Sequence, residues 1–397
     1  MRATMTGGLR FLILTALIAS GCAAGAAQLS SVSPAAPAVT PDLLLRGGQY
    51  VELDARMSGI QRAYERGAIS EAELRDDFYA FRDADPALAA SFDAWVQRFP
   101  HSYVAHLARG YYYKRVAWTV GPDEFGVSPS QASKEASKRA VTDLQVSATL
   151  TRKPLLTFYH LLDSTAPVDR RMARSALDRA IQVDPATFIV RDKYMDSLRV
   201  RNGGSLDAMR AFLEECRTSK LSVNHVQDLQ SKLFEEDGLI AKKAGDRATA
   251  ETDFRKAVEL RHYDCGPCAD LANLLTDQKR FTEAVGVLSR GLNFEPHNTS
   301  VRLSRAYAYI EIGKVKEAVD DWTVTADDGD ADSNNKLAVI YMQGIPGVVS
   351  MNRELGINYF RRAAALGDGN AQHNLDSALH AYPEYCHKDE CGWRKQT

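Results

Sequence analysis

The chain has 397 residues and carries 49 Lys and Arg against 51 Asp and Glu, a formal net charge of −2. That balance excludes a nucleic-acid binder or a strongly basic membrane-surface protein, both of which depend on clustered positive charge. The length allows two or more domains or one long repeat array, and six cysteines leave room for disulfides.

At the N-terminus, Arg2 and Arg10 flank a short n-region, and Phe11 to Ala19 (FLILTALIA) is apolar but far too short to span a membrane as a mature helix. The Ala19-Ser20-Gly21-Cys22 that follows resembles the bacterial lipobox, in which small residues precede a cysteine that is lipidated and becomes the new N-terminus. The resemblance implies that residues 1–21 are a lipoprotein signal peptide and that Cys22 anchors the mature chain in a lipid bilayer. Ala19 stands where Leu is usual, so a signal peptide cut nearby, releasing a soluble periplasmic protein, is the alternative. Ala23 rather than Asp after the cysteine favours the outer membrane. Residues 22–41, rich in Ala, Ser and Pro and without charge, read as a tether that cannot bury a core.

Residues 42–150 are expected to form an N-terminal helical domain. Leu53, Met57, Ile60 and Tyr64 step by four, three and four, which places them on one helix face. Ser70-Glu71-Ala72-Glu73 reads as a capping box that starts the next helix. Leu88, Phe92, Trp95 and Phe99 repeat the spacing before Pro100 ends the run. Tyr111, Tyr112, Tyr113 and Trp118 could make a ligand platform, but at helical spacing packing between helices is the expected role. The run DAWVQRFPHSYVAHLARGYYY, with the NGGS at 202–205, resembles an uncharacterised bacterial domain often joined to helical repeats; NGGS also reads as a turn whose Ser205 caps the next helix.

Further along, a period appears. Ala250, Ala284 and Ala318 lie 34 residues apart, as do Phe254, Leu288 and Trp322, then Ala257, Gly291 and Thr325, and earlier Gly238, Ala272 and Ala306. Small residues recur where two helices approach, and large ones follow where the second helix fills the core. This resembles the tetratricopeptide repeat, with units at 231–264, 265–298 and 299–332. Degenerate units precede them at 154–222, carried by Ala173, Leu177, Ala180 and Pro185, then Ala208 and Phe212. At 335–381, Ala338, Tyr341, Gly344, Gly347, Tyr359, Ala363 and Gly367 resemble a Sel-one-like repeat, ended by a capping helix from Ala371. Residues 382–397 form a tail. The fold implied is all-α: a helical-hairpin repeat superhelix behind an N-terminal helical domain.

Cys265-Gly266-Pro267-Cys268 matches the active-site motif of the thioredoxin family over four residues. In repeat register it opens the middle unit, with Pro267 suited to the first helical turn. Helix dipoles favour a thiolate at such a position, yet Asp264 opposes one, and nothing nearby reads as the strands that family needs. A structural disulfide Cys265–Cys268 is the expectation, and a redox-active pair the alternative. Cys386 and Cys391 can close a second local disulfide in the tail; a four-cysteine zinc site or cross-pairing with Cys265 and Cys268 is the competing reading. Cys216 follows Phe212 and Leu213 at helical spacing and reads as an inert buried thiol.

No phosphate loop, metal-binding pair or nucleophile motif occurs in a convincing context, so no catalytic residue, metal or cofactor is expected. The acidic runs Glu235-Glu236-Asp237 and Asp327-Asp328-Gly329-Asp330 read as exposed faces. By position-wise resemblance to peptide-binding tetratricopeptide proteins, the groove would be lined by Lys232, Glu235, Lys242 and Lys243 of the first unit. Asn273 and Asp277 would follow from the second and Tyr307 and Glu311 from the third. Two functions stay open: a non-catalytic scaffold that binds protein or peptide segments in the periplasm, and a periplasmic thiol-disulfide oxidoreductase.

Overall fold

The computed structural model describes residues 39–121, 129–387 and 391, so Cys22, the signal segment and nearly all of the tether lie outside it. Among the described residues there are nineteen α-helices and no strand; an isolated bridge pairs Ile345 with Val349.

The first six helices are α1 (Pro41–Arg46), α2 (Tyr50–Glu65), α3 (Glu71–Phe78), α4 (Ala89–Arg98), α5 (Tyr103–Thr119) and α6 (Gln131–Ser147). The apolar spacing read from the sequence faces inward here: Leu53, Met57 and Tyr64 of α2 and Phe92 and Trp95 of α4 are buried. Phe92 stacks on Tyr112, ring centroids 4.7 Å apart, while the Trp95 indole N–H donates to Asp54 at 3.0 Å, so the buried aromatic keeps a polar partner. Ser70 accepts from the Glu73 amide and Glu73 reaches back to the Ser70 amide at 2.7 Å, completing the capping box. Glu71 goes further. Its carboxylate accepts from the amides of Phe188 and Ile189 at 2.8 and 3.0 Å, capping a helix more than a hundred residues away.

Hairpins follow: α7 (Leu155–Thr165) with α8 (Arg170–Val183), then α9 (Ile189–Ser197) and α10 (Leu206–Arg217). Gly204 makes the turn into α10, since a Cβ there would fall 1.9 Å from the Leu198 carbonyl oxygen; Ser205 then caps α10. The 34-residue units appear as α11 (Val223–Lys243) with α12 (Arg247–Leu260), α13 (Gly266–Asp277) with α14 (Phe281–Phe294), and α15 (Thr299–Glu311) with α16 (Val315–Asp327). Last come α17 (Ala331–Gln343), α18 (Arg353–Ala365) and α19 (Gly369–Ala381).

The repeat columns have a direct packing cause. Gly238 lies so close to the second helix that a Cβ would sit 2.7 Å from two ring carbons of Phe254. Ala250, Ala284 and Ala318 are fully buried at the corresponding crossings. Helix α11 begins at Val223, ahead of the expected start of the first unit at 231, because the Ser222 hydroxyl accepts from the His225 amide and nothing interrupts the helix afterwards.

Apolar packing divides the chain differently from its sequence pattern. One cluster of buried side chains runs from Leu44 to Leu233, across the expected division at 150; a second spans Ala250 to Ala308, and a third Ala306 to Cys391. The N-terminal half of α11 belongs to the first cluster, and its Leu239 and Ala241 pack on the second. Helices α5, α7, α9, α11, α13 and α15 touch one another in that order, forming one continuous layer of first helices.

Candidate functional site

The layer of first helices holds most of the expected groove residues at its surface. Lys243, Asn273, Asp277 and Glu311 are exposed, Tyr307 is 51% exposed, and the half-buried Lys242 ammonium lies 3.9 Å from the Asp277 carboxylate. Their common spacing along α11, α13 and α15 puts them on successive rungs of one face.

Lys232 and Glu235 are not there. Both are buried, and Glu236, read as part of an exposed acidic run, is buried beside them. The cause is a set of ion pairs between α9, the 3-10 turn after it and the loop that follows α12. Arg199 donates to Glu235 at 2.6 Å, Arg261 donates to the other Glu235 oxygen at 3.1 Å, and the Lys232 ammonium lies 2.6 Å from Asp192 and 2.8 Å from Asp196. Tyr263 donates to Asp192 at 2.9 Å, and the Val200 amide donates to Glu236, also at 2.9 Å. Burial pushes the Glu235 carboxyl up, but the hydrogen bond and charge of Arg199 outweigh it and hold the group below the usual range.

Cys265 and Cys268 are bonded to each other, as are Cys386 and Cys391. Cys265 is the N-cap residue of α13, with Pro267 in the first turn. Both sulfurs of this pair lie in the second apolar cluster, where Cys265 is 4% and Cys268 0% exposed. The neighbouring Asp264 carboxylate is held by Arg261 at 3.3 Å and by the Gly266 amide at 3.2 Å. Cys216 is buried, and burial pushes its thiol up to about 12, which keeps it protonated. No group of three or more His, Cys, Asp or Glu side chains suited to a metal occurs among the described residues.

The pairing leads to an expected result. Replacing Cys265 and Cys268 together by Ser should lower the melting temperature only slightly, because so short a loop constrains little of the unfolded chain. The wild-type protein should leave insulin unreduced. A trapped mixed disulfide in the Cys268→Ser variant would contradict this.

One feature of the face lies outside the residues singled out by the repeat register. A cavity of about 570 Å3 opens between α5, α7 and α9. Its mouth is marked by Trp118, expected to pack between helices but 76% exposed, whereas Tyr111, Tyr112 and Tyr113 do pack. Trp118 falls in the last turn of α5, and although the neighbouring Ala117 carbonyl accepts from Ser133 of α6 at 2.7 Å, the indole itself stays largely uncovered. The walls carry Lys114, Asp163 and Lys193. Burial would raise the Asp163 carboxyl, but Lys114 and Lys193 outweigh it and bring it down to about 2. Sequence spacing marked Trp118 as aromatic and helical; only the layer order reveals that it ends up uncovered.

Residues 39–169 match a domain of unknown function, DUF4034. Among solved structures, the chain is similar to YrrB, described as a TPR protein with an unusual peptide-binding site: 19% identity over 52% of this chain and 98% of that one, TM-score 0.33. It is also similar to c5321, a protective antigen of uropathogenic Escherichia coli with an SLR fold: 16% identity, 82% and 68% coverage, TM-score 0.37. A Sel1 repeat protein from Oxalobacter formigenes gives 15% identity, 76% and 90% coverage and a TM-score of 0.36. No curated protein matches the sequence. The structural neighbours are therefore tetratricopeptide and Sel1-repeat proteins, and the fold itself is given by the stacked hairpins described above.

Proposed function

We propose that this chain is a non-catalytic scaffold of the bacterial cell envelope that binds protein segments on its layer of first helices. In this reading Cys22 carries the lipid that holds it at the outer membrane, facing the periplasm. The observation that carries the binding role is the row of exposed Asn273, Asp277, Tyr307 and Glu311 on consecutive rungs. Repeated polar and aromatic groups at fixed spacing suit an extended segment laid across the helices. A peptide-binding site in a protein of similar fold, YrrB, supports the same reading. The oxidoreductase alternative is disfavoured by access: a thiolate must approach a disulfide sulfur directly, and Cys265 and Cys268 are buried.

Two measurements test the proposal. Cys22→Ser should release the protein from the membrane fraction or block its processing, and unchanged fractionation with an unlipidated wild type would remove the anchor. A photo-crosslinking residue at Asn273 or Tyr307 should give discrete protein adducts in cells, whereas one at the exposed Glu317 of α16 should not. Equal labelling at all three positions, or none, would sink the binding role.

A further inference from the structure

Resting on that scaffold reading, we propose that the cavity beside Trp118 is the specificity pocket of the face, and that it takes an acidic side chain of a bound peptide together with an adjacent apolar one.

Charge decides the first half. Two carboxylates reach this cavity, and both are already over-matched. Asp163 is shared by Lys114, within hydrogen-bond distance, and by Lys193 at 3.4 Å. Asp196 is held at 2.8 Å by Lys232 and at 3.3 Å by Arg199, neither of which lines the cavity. Arg201, exposed at the rim, makes no salt bridge among the described residues. The lining itself therefore carries three cations, Lys114, Lys193 and Arg201, against two acids that already have partners, which leaves Arg201 over. Each lysine also has more than one N–H, so a second carboxylate can be accepted without breaking the bonds to Asp163. Lys114 spends one N–H on His160, 3.2 Å away, whose ring is kept neutral by burial and by Lys114 itself.

Shape and composition decide the second half. The rest of the lining includes the accessible Ala166 and Pro167, with the buried Leu162 behind, next to the exposed indole of Trp118. Trp118 and Lys114 are four residues apart on α5, so an aromatic face and a cation stand one turn from each other. Trp and Arg, here Trp118 and Arg201, are among the residue types that carry most of the binding energy at protein interfaces. The cavity volume of about 570 Å3 falls within the range of ligand pockets, roughly 300–1,000 Å3, enough for two side chains. A peptide fits better than an isolated small molecule because α5, α7 and α9 continue into α11, α13 and α15. A segment lying over Asn273 and Tyr307 can therefore extend to Trp118 along one layer.

The test is selection from a display library of random dodecapeptides against the full chain, followed by titration of the selected peptides with wild type, Trp118→Ala and Arg201→Glu. Selected peptides should carry Asp or Glu next to an apolar residue. Both variants should weaken them by about ten-fold or more, and affinity should fall with salt. Both positions are exposed, so unchanged melting curves verify the fold of the variants. Peptides that bind both variants normally but are lost with Asn273→Ala and Tyr307→Ala would leave the scaffold standing and overturn the pocket. Selection of no peptide at all would overturn both. An oligogalacturonate that binds wild type and not Trp118→Ala, with no peptide selected, would give the cavity to an acidic sugar and likewise overturn the proposal.

Discussion

Arg199→Ala is expected to destabilise the protein by about 3–5 kcal/mol in denaturant titration, the cost of breaking a buried ion pair by removing one partner. Arg199 is 2% exposed and bonds Glu235 at 2.6 Å and Asp196 at 3.3 Å, with Glu236 3.8 Å away. Without it, Glu235 keeps only Arg261 and Glu236 keeps only the Val200 amide, and both carboxylates stay desolvated. The penalty comes chiefly from those stranded charges, so it exceeds what the same bonds would contribute at the surface, about 1 kcal/mol or less. Adding Glu235→Gln and Glu236→Gln to Arg199→Ala should recover part of the loss. A single variant that melts like wild type would mean that these carboxylates are not buried as described.

The second large effect is at the first repeat crossing. Phe254→Ala should cost about 3–5 kcal/mol, since the ring is fully buried and its removal leaves a cavity that stiff helices cannot close. Gly238→Ala should cost about 1–3 kcal/mol for the opposite reason: its methyl would meet the Phe254 ring at 2.7 Å. The two sites are in contact, so their effects should not add. In a Phe254→Leu background the Gly238→Ala penalty should shrink, because a shorter side chain vacates the space the methyl needs. Additive penalties in a double-mutant cycle would place Gly238 against some other partner.

These two experiments also divide what was legible in the sequence from what was not. Gly238 and Phe254 were readable as a column because the spacing of small and large residues is imposed locally, by how closely two adjacent helices cross. The same register placed Asn273 and Tyr307 on the exposed side of the first helices. Lys232, Glu235 and Glu236 were misplaced because a charged residue on an amphipathic helix defaults to the surface. What buries them is Arg199, 36 residues before Glu235, and Arg261, 26 after it. No window of one helix contains both halves of such a pair. Trp118 failed in the other direction. Its spacing is that of a packed residue, and its exposure depends on which side chains of other helices reach that turn, a property of the assembled layers.

The long helix α11 has a consequence for how such chains are inherited. The stretch recognised as a domain in other proteins ends at residue 169, between the two helices of the hairpin α7–α8, while the apolar cluster it begins continues to Leu233. A recombination event at that border would deliver one wall of a core without the other. Any new neighbour would have to supply side chains in the place of Leu177, Val190 and Leu229 before the fragment could fold. The part of the sequence that travels recognisably is thus shorter than the part that must travel together, and α11, which serves two cores, is where the real seam lies.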